Sequence, residues 1–392
     1  MIMPWISKSV KMIREEFVKL ALSEQVNFSE LCKRYAISRK TGYKWLARYK
    51  GAGVNGLEDQ VKSPKSIPKK TELTLEKAVI EVRLKHNSWG GRKIRQYLLN
   101  HGYVKAPAPS TITDILHRYH LIEDGANKSQ KTWQRFEHES PNDLWQMDFK
   151  GHFAMADAKR CYPLTIVDDH SRFSIGISAC LNEQGVSVKS ALEKIFRRYG
   201  IPRRINVDNG NPWGSMFEVC RYTSFGLWLI DQGIKLSHSA PHHPQTNGKN
   251  ERFNRTLKTE VINNIYIKDV HHAQYVFDDW RHTYNFDRPH EALGYRVPGE
   301  LYKPSYKEYR EKVEEYDYSE DYRRKVVDTR GRINIEGRTI FVGVPFAKRE
   351  LGLRHGGDSG KYEVYYRHQK LGRFDLERIE KSSCVNLYSI ID

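Results

Sequence analysis

The amino-acid sequence predicts a multidomain protein with an all-α N-terminal part, a central α/β core and a small C-terminal β domain. Three observations support this order. Apolar residues recur at helical spacing in the first 120 residues, strand-like and helical runs alternate over residues 142–305, and short strand-like runs between Gly-containing turns follow residue 318. A chain of 392 residues is also too long for one ordinary core.

The charge of the chain is strongly positive and unevenly distributed. The formal net charge is +17 and the pI is about 9.4. Residues 1–120 contain 23 Lys and Arg against 10 Asp and Glu, a net +13, which leaves +4 for the remaining residues. This balance favours a polyanionic partner, most simply nucleic acid. We therefore expect the N-terminal third to provide the main DNA-contacting surface.

The cysteines and the apolar runs indicate the compartment. The five cysteines lie far apart and form no CxxC pair, which argues against both a zinc ribbon and a disulfide framework. We expect buried thiols in a reducing compartment. No apolar run approaches the ~20 residues of a membrane span, and the first residues lack the apolar segment of a secretory signal. A cytoplasmic protein with no membrane partner is expected.

Residues 1–52 are predicted to form a helix-turn-helix domain. The run "NFSELCKRYAISRKTGYKWLARYK" predicts a helix from about Ser29, a break near Ala36, an N-cap at Ser38 and a second helix that ends before Gly51. In such motifs the first turns of the second helix reach base edges and flanking basic residues bind phosphates. The side chains placed there are Arg39, Lys40, Thr41, Tyr43 and Lys44. An ordinary basic helical hairpin is the alternative.

A basic linker and a second helix-turn-helix domain are predicted next. Residues 53–70, rich in Gly, Pro, Ser and Lys, should be extended, either as an arm in the minor groove or as a solvated linker. Residues 71–123 contain three amphipathic segments, which could also be merely structural, and Ser110 is predicted to cap the last of them. Its candidate DNA-binding residues are Ser110, Thr111, Thr113 and Arg118. Residues 124–141 are predicted to be a linker.

Residues 142–305 are predicted to form an α/β core around a mixed five-stranded sheet. The runs follow the order strand, strand, strand, helix, strand, helix, strand, helix, which indicates an antiparallel start. After it, residues 306–325 are predicted to be a linker helix and residues 326–392 a small β-barrel.

Three acids stand at the ends of core elements. Asp148 lies in the first strand, Asp208 follows the apolar strand "INV", and Glu251 starts the helix after "HPQTNG". Open α/β sheets bind ligands at such ends. Mg²⁺ prefers hard oxygen ligands, and two ions ~4 Å apart can activate an attacking oxygen and steady a leaving one. An Asp before Asn-Gly is also ordinary turn chemistry.

Other features of the core compete with this interpretation or extend it. Asp168 and Asp169 are predicted to form a turn with Arg172 as a partner rather than to bind metal, and Glu260 should face away from Glu251. Arg255 and Lys258 follow Glu251 at i+4 and i+7, so the three side chains should share one helix face.

The motifs "DFKGHF", "VDDHSRF", "VDNGNPWG" and "HPQTNGKNERFNRTLK" occur in this order. The run from Trp145 to Lys258 resembles the RNase H-like catalytic core of DDE transposases and retroviral integrases, and bacterial insertion-sequence transposases in particular. The resemblance implies Asp148, Asp208 and Glu251 as catalytic ligands of two Mg²⁺ ions, with Mn²⁺ able to substitute. It also implies that Arg255 and Lys258 hold the DNA end.

The resemblance further implies double-stranded DNA as the partner, both as transposon ends and as target, with self-association as a dimer or a higher synaptic complex. The 42 residues between Asp208 and Glu251 exceed the spacing in retroviral integrases, which points to an added loop at 211–224. Implied chemistry is hydrolysis at the transposon end, then attack of the released 3′-hydroxyl on the target. The alternatives are a catalytically silent repressor derived from a transposase and an integrase or nuclease of the same fold.

Overall fold

The computed structural model describes two compact units, residues 1–70 and residues 71–392. Within them the described residues are 9–23, 26–59, 71–122, 138–208, 210, 212–214, 220, 222–238, 248–357, 360–381 and 383–389. None of the helices in these ranges is long and apolar enough to cross a membrane.

The first unit contains the predicted helix-turn-helix. Its helices are α1 (Val10–Ala21), α2 (Phe28–Arg34) and α3 (Arg39–Ala52). Ala36 takes a positive φ of 51°, which turns the chain between α2 and α3, and the Ser38 side chain accepts a hydrogen bond from the Thr41 N–H, as predicted for an N-cap. Phe17 and Trp45 are buried between the helices.

The linker predicted from residue 53 begins later in the structure. Residues Gly53–Leu57 form a 3-10 turn, and the Leu57 side chain is completely buried against α1–α3. Glu58 and Asp59 then form ion pairs with Lys11 and Arg14 at 2.5 and 3.0 Å. Residues 53–57 are therefore not extended as the sequence predicts, because burial of the apolar Leu57 side chain stabilises this turn. Residues 60–70 lie outside the described part.

The second unit begins with three helices, α4 (Leu73–Lys85), α5 (Gly91–Asn100) and α6 (Pro109–Arg118), as predicted. They enclose a core that includes Trp89, Ile94 and Ile112. The predicted cap at Ser110 was wrong, because Ala108 is the N-cap residue of α6 and its side chain makes no capping hydrogen bond. Pro109 favours this earlier start, since its φ is already helical and it has no N–H to satisfy.

The central sheet has the predicted mixed arrangement. Its strands are β1 (Trp145–Phe149), β3 (Arg160–Asp168), β4 (Ser174–Cys180), β5 (Arg204–Val207) and β6 (Lys235–His238), with the two-residue strand β2 (Phe153–Ala154) at one edge of β3. The five main strands lie in the order β4-β3-β1-β5-β6. β3 is antiparallel to β1 and β4, whereas β1, β5 and β6 are parallel.

Helices cover both faces of this sheet. They are α7 (Gly185–Tyr199), α8 (Ser224–Asp231), α9 (Gly248–Leu257), α10 (Val270–Phe286) and the short α11 (Pro298–Leu301). Side chains alternate along β3, so Leu164 and Ile166 join the cluster of α7 and α8, whereas Val167 joins that of α9 and α10. α9 continues into a π-helical segment, Lys258–Ile262, and a 3-10 turn, Glu291–Leu293, follows α10.

The C-terminal region differs from its prediction in two respects. The helix predicted for residues 306–325 is not formed: residues 306–321 have no regular structure, and Ile201 N–H donates to the Lys307 carbonyl. The strands are β7 (Tyr322–Val326), β8 (Arg332–Ile335), β9 (Arg338–Phe341), β10 (Glu350–His355), β11 (Lys361–Tyr366), β12 (Gln369–Asp375) and β13 (Cys384–Asn386). They form two sheets, β12-β11-β10-β7 and β13-β9-β8. Pairings among these strands do not join the sheets, so the closed barrel stays a prediction.

Short 3-10 turns, Val344–Phe346, Leu376–Arg378 and Leu387–Ser389, connect these strands. The apolar core of the C-terminal region is continuous with that of α7 and α8, and Leu236 N–H on β6 donates to the Gln369 side chain at 3.2 Å. Four of the five cysteines are buried as expected, but Cys384 on the edge strand β13 is exposed.

We expect Leu57→Ala to lower the stability of the first unit by about 2–5 kcal/mol, because the substitution leaves a cavity in a fully packed site. Hydrogen exchange of the whole chain is the measurement, and it should accelerate across residues 10–52. Val54→Ala in the same turn is the control, because Val54 is 38% exposed and should leave exchange unchanged. Equal exchange in the two variants would contradict the assignment of Leu57 to this core.

Candidate active site

Asp148 and Asp208 are brought together by parallel strand pairing. Asp148 lies in β1 and Asp208 follows β5, and Trp145 on β1 pairs with Ile205 on β5. Both acids therefore lie toward the C-terminal ends of adjacent strands, where an α/β sheet opens. Asp148 is half-buried and Asp208 is exposed. The His238 ring Nδ1, at the end of β6, lies 3.1 Å from the Asp208 main-chain oxygen.

Helix α9 supplies the third acid. Glu251, Arg255 and Lys258 are all exposed, as the predicted shared face requires, and Lys258 begins the π-helical segment. The opposite face of α9 is buried through Asn250, Phe253, Asn254 and Leu257.

The three acids interact electrostatically. Burial, together with the negative charges of Asp208 and Glu251, raises the pKa of Asp148 to about 7. Lys150, directly after β1, belongs to the same region. Burial lowers its pKa, as does the neighbouring Lys258, whereas Asp148 opposes that change. The sequence interpretation did not select Lys150, although its position two residues after Asp148 was a usable signal.

The donor set suits a divalent cation. Three carboxylates offer the hard oxygen ligands that Mg²⁺ prefers, and their mutual repulsion around Asp148 is an interaction that a cation would relieve. Within the described ranges, no three His, Cys, Asp or Glu side chains already form a metal-binding cluster. The assignment of Asp148, Asp208 and Glu251 as ligands therefore stays a prediction.

A buried polar network beside the acids was missed by the sequence interpretation. Thr165 on β3 pairs in register with Asp148, and its hydroxyl oxygen lies 3.0 Å from Asn250 Oδ1 and 2.9 Å from Asn254 Oδ1. Asn254 Nδ2 also donates to the Asp148 carboxylate at 3.5 Å. The i, i+4 spacing of Asn250 and Asn254, on the face opposite the charged residues, was the signal that could have identified it.

The competing acids have structural partners. Asp168 accepts hydrogen bonds from the Ser171 N–H at 2.8 Å and from its hydroxyl at 2.6 Å, within the predicted turn. Arg172 contacts Asp169, as predicted, by donating a hydrogen bond to its main-chain carbonyl. Glu260 faces away from Glu251 as predicted, and it forms an ion pair with Arg288 at 3.2 Å.

The DNA-contact candidates of the first unit lie mostly at its surface. Arg39, Lys40, Tyr43 and Lys44 are exposed, whereas Thr41 is half-buried and its hydroxyl lies 3.0 Å from that of Ser38. The Tyr43 ring stacks on Phe28 with a centroid distance of 4.3 Å. These positions are compatible with DNA contact, which stays a prediction.

The candidates on α6 have more internal contacts. Ser110 is exposed and Thr111 half-buried. The Thr113 hydroxyl donates to the Pro109 carbonyl at 2.9 Å, and Arg118 forms a 2.7 Å ion pair with the buried Glu76. Their DNA contacts also stay a prediction. Half of the 211–224 loop (residues 211, 215–219 and 221) and the whole turn before Gly248 lie outside the described residues.

Comparison with protein families identifies the chain. Two Integrase core domain families match residues 138–244 and 232–298, and the IS481 family transposase, C-terminal domain matches residues 323–382. The chain belongs to the insertion-sequence transposases of the integrase superfamily. A Helix-turn-helix domain family also matches residues 13–65 of this chain, and a Homeodomain-like domain family matches residues 41–116.

Two relatives of this chain are proteins of bacterial insertion elements. The 39.2 kDa insertion element IS476 protein of Xanthomonas euvesicatoria is 27% identical over 287 residues, which cover 70% of this chain and 78% of the relative. The 31.7 kDa insertion element IS407 protein of Burkholderia multivorans is 30% identical over 162 residues, which cover 41% of this chain and 56% of the relative.

Solved integrase structures show a looser similarity to this transposase-family chain. A simian T-cell lymphotropic virus intasome structure gives a TM-score of 0.37 at 15% identity, covering 78% of this chain and 99% of that one. The HTLV-2 integrase catalytic core domain in complex with magnesium gives a TM-score of 0.32 at 19% identity, covering 42% of this chain and 97% of that one. Both TM-scores are too low to establish a shared fold.

We expect Asp148→Asn to stabilise the metal-free protein at alkaline pH. The pKa of Asp148 is raised in the folded state, so its ionisation opposes folding above pH 7, and this cost disappears as pH falls toward the unfolded pKa of about 4. The gain should be about 1–3 kcal/mol near pH 8 and vanish near pH 4, as measured by thermal unfolding in a chelating buffer. The exposed Asp279→Asn is the control, and destabilisation by Asp148→Asn at every pH would contradict the expectation.

Proposed function

We propose that the protein is a DNA transposase that binds the terminal inverted repeats of an insertion sequence, cleaves the 3′ ends and joins them to target DNA. The observation that carries the proposal is that Asp148 and Asp208 lie toward the C-terminal ends of the paired strands β1 and β5, where the negative charges of Asp208 and Glu251 both raise the pKa of Asp148. Acids that repel one another, with Lys150 and Lys258 close enough to influence each other's charge, are suited to binding a cation and a phosphate together.

In this proposal Asp148, Asp208 and Glu251 would hold two Mg²⁺ ions, which when bound would supply activation of the attacking oxygen and stabilisation of the leaving oxygen. Lys150, Arg255 and Lys258 would bind the phosphates of the DNA end and orient the scissile bond for in-line displacement. Water attacks in the first step, and the released 3′-hydroxyl attacks in the second. The same geometry can serve both reactions, because both are displacements at phosphorus.

DNA recognition is assigned to the two helical domains. The exposed side chains at the start of α3 would read the transposon end, and α6 would extend the recognised site. We further propose a dimer or a higher synaptic assembly that pairs two ends in the bacterial cytoplasm. The net charge of +13 in residues 1–120 supports DNA as the partner.

Asp208→Asn should abolish end cleavage and strand joining in magnesium while end binding persists. The substitution removes a carboxylate that lies outside the helical domains, and its exposed position makes a folding defect unexpected. The measurement is a joining assay on labelled linear DNA, with a gel-shift assay for binding. The exposed Asp279→Asn on α10 is the matched control and should join DNA normally.

The same assay separates the alternative functions. Retained joining by Asp208→Asn would refute the assignment of the acid. Wild-type protein that binds ends but never cleaves them would indicate a repressor, and cleavage independent of end sequence would indicate a nuclease.

Arg39→Ala and Lys44→Ala should weaken binding to DNA. Loss of affinity for all sequences, with a salt slope reduced by about one, would identify a phosphate contact, whereas loss confined to the native end would identify base reading at a cost of about 1–3 kcal/mol. Fluorescence anisotropy over a salt series is the measurement. Lys50→Ala, at the far end of α3, is the matched control, and unchanged affinity in both test variants would contradict the assigned DNA-facing surface.

A further inference from the structure

The buried Asp169 side chain contacts three separate segments of the second unit. It lies in the turn after β3, and its side chain is only 5% exposed. One carboxylate oxygen accepts a hydrogen bond from the Gln146 side chain on β1 at 2.8 Å. The other accepts from the His138 main-chain N–H at 3.0 Å and from the Lys249 ammonium at 2.5 Å. This carboxylate thus links β1, the start of the core and α9.

These contacts reach the first turn of α9. Lys249 also donates to the Asp169 main-chain carbonyl at 3.0 Å. The next residue, Asn250, donates its main-chain N–H to the Gln146 side-chain oxygen at 3.0 Å. The first N–H groups of a helix have no acceptor inside it, so Gln146 satisfies one of them from the neighbouring strand. Asp169 therefore holds two consecutive residues of α9, one directly and one through Gln146.

Holding Lys249 and Asn250 determines where Glu251 points. Successive residues of an α-helix are rotated by about 100°, so two inward-facing residues direct the third outward. Side-chain tips lie about 6 Å from the helix axis, and a rotation of about 10° would move the Glu251 carboxylate by about 1 Å. A misplacement of about 1 Å can cost about 100-fold in rate. Small losses of rotational restraint would therefore have large effects on chemistry.

We propose that Asp169 is a positioning residue that, with Lys249 and Gln146, sets the rotation of α9 and aims Glu251 at Asp148. This role rests on the proposed strand-joining function. Gln146 and Asp148 are two residues apart on β1 and so share a face of the sheet. The strand thus contacts α9 at Asn250 through Gln146 and at Asn254 through Asp148. Asp169 orients the first of these two contacts.

A purely structural ion pair is the competing explanation, and a double substitution separates the two. Lys249→Met or Asp169→Asn alone leaves a buried charge without its partner and should lower the unfolding temperature. The double variant removes both charges, so its unfolding temperature should return toward that of the wild type. The hydrogen bonds that restrain α9 remain weakened, because methionine donates none and asparagine has one acceptor oxygen.

The experiment measures thermal unfolding, end binding, strand joining and hydrogen exchange on the full chain. For the double variant we expect recovered stability, unchanged end binding, faster exchange at residues 249–252 and joining reduced about 10- to 100-fold. Lys249→Arg keeps the charge and should retain most of the joining. Asp231→Asn is the matched control, because Asp231 is also a shielded acid, paired with Arg349 at 2.7 Å in another part of the unit. It should lower stability without changing exchange in α9.

Joining that returns together with stability in the double variant would overturn the positioning role, as would unchanged exchange at residues 249–252. Failure of the wild-type protein to join DNA would instead overturn the proposed function, and that result is independent of the variants. Normal joining by the wild type and by both single variants would leave the proposed function standing and refute the role of Asp169.

Discussion

Repulsion between carboxylates is the constraint around which the central part of the molecule is organised. Asp148 is half-buried close to two other acids, and burial together with their charges raises its pKa to about 7. Such an arrangement opposes folding at neutral pH and persists only if the surrounding structure holds it in place. Hydrogen-bonded amides from Asn250 and Asn254 lie beneath the acids, and Lys150 and Lys258 lie beside them.

A buried carboxylate is found near each end of the helical segment that carries Glu251. Asp169 binds its first turn, and Glu260 in the π-helical segment is bound by Arg288, by the Trp280 indole N–H at 2.9 Å and by the Ser88 hydroxyl at 2.6 Å. Ser88 belongs to the helical domain of α4–α6, so that domain contacts the continuation of α9 directly. The inner face of this helical segment packs Phe253, Leu257 and Val261 into the core, whereas Glu251, Arg255 and Lys258 are exposed on its outer face.

The errors of sequence-based interpretation have identifiable physical causes. The linker boundary was wrong because a single leucine, Leu57, is buried after a Gly-rich run. The cap of α6 was misplaced because Pro109 starts the helix without a side-chain cap. Residues 306–321 contain good helix formers, yet the main chain of Lys307 is bonded to Ile201 and the segment remains irregular. In each case a tertiary contact or a single backbone restraint outweighed local propensity.

The sequence by itself determined the order of helical and strand segments and the shared face of Glu251, Arg255 and Lys258, because these follow from periodicity within short windows. Only the tertiary structure decided that Asp148, Asp208 and Glu251 interact, because that depends on the pairing of β1 with β5 and the seating of α9 on β1. The tertiary structure also revealed the buried contacts of Asp169, whose partners at residues 138, 146 and 249 are distant in the chain. Hydrophobic periodicity predicts which face of a helix or strand a residue occupies. Long-range packing determines which other residues that face contacts.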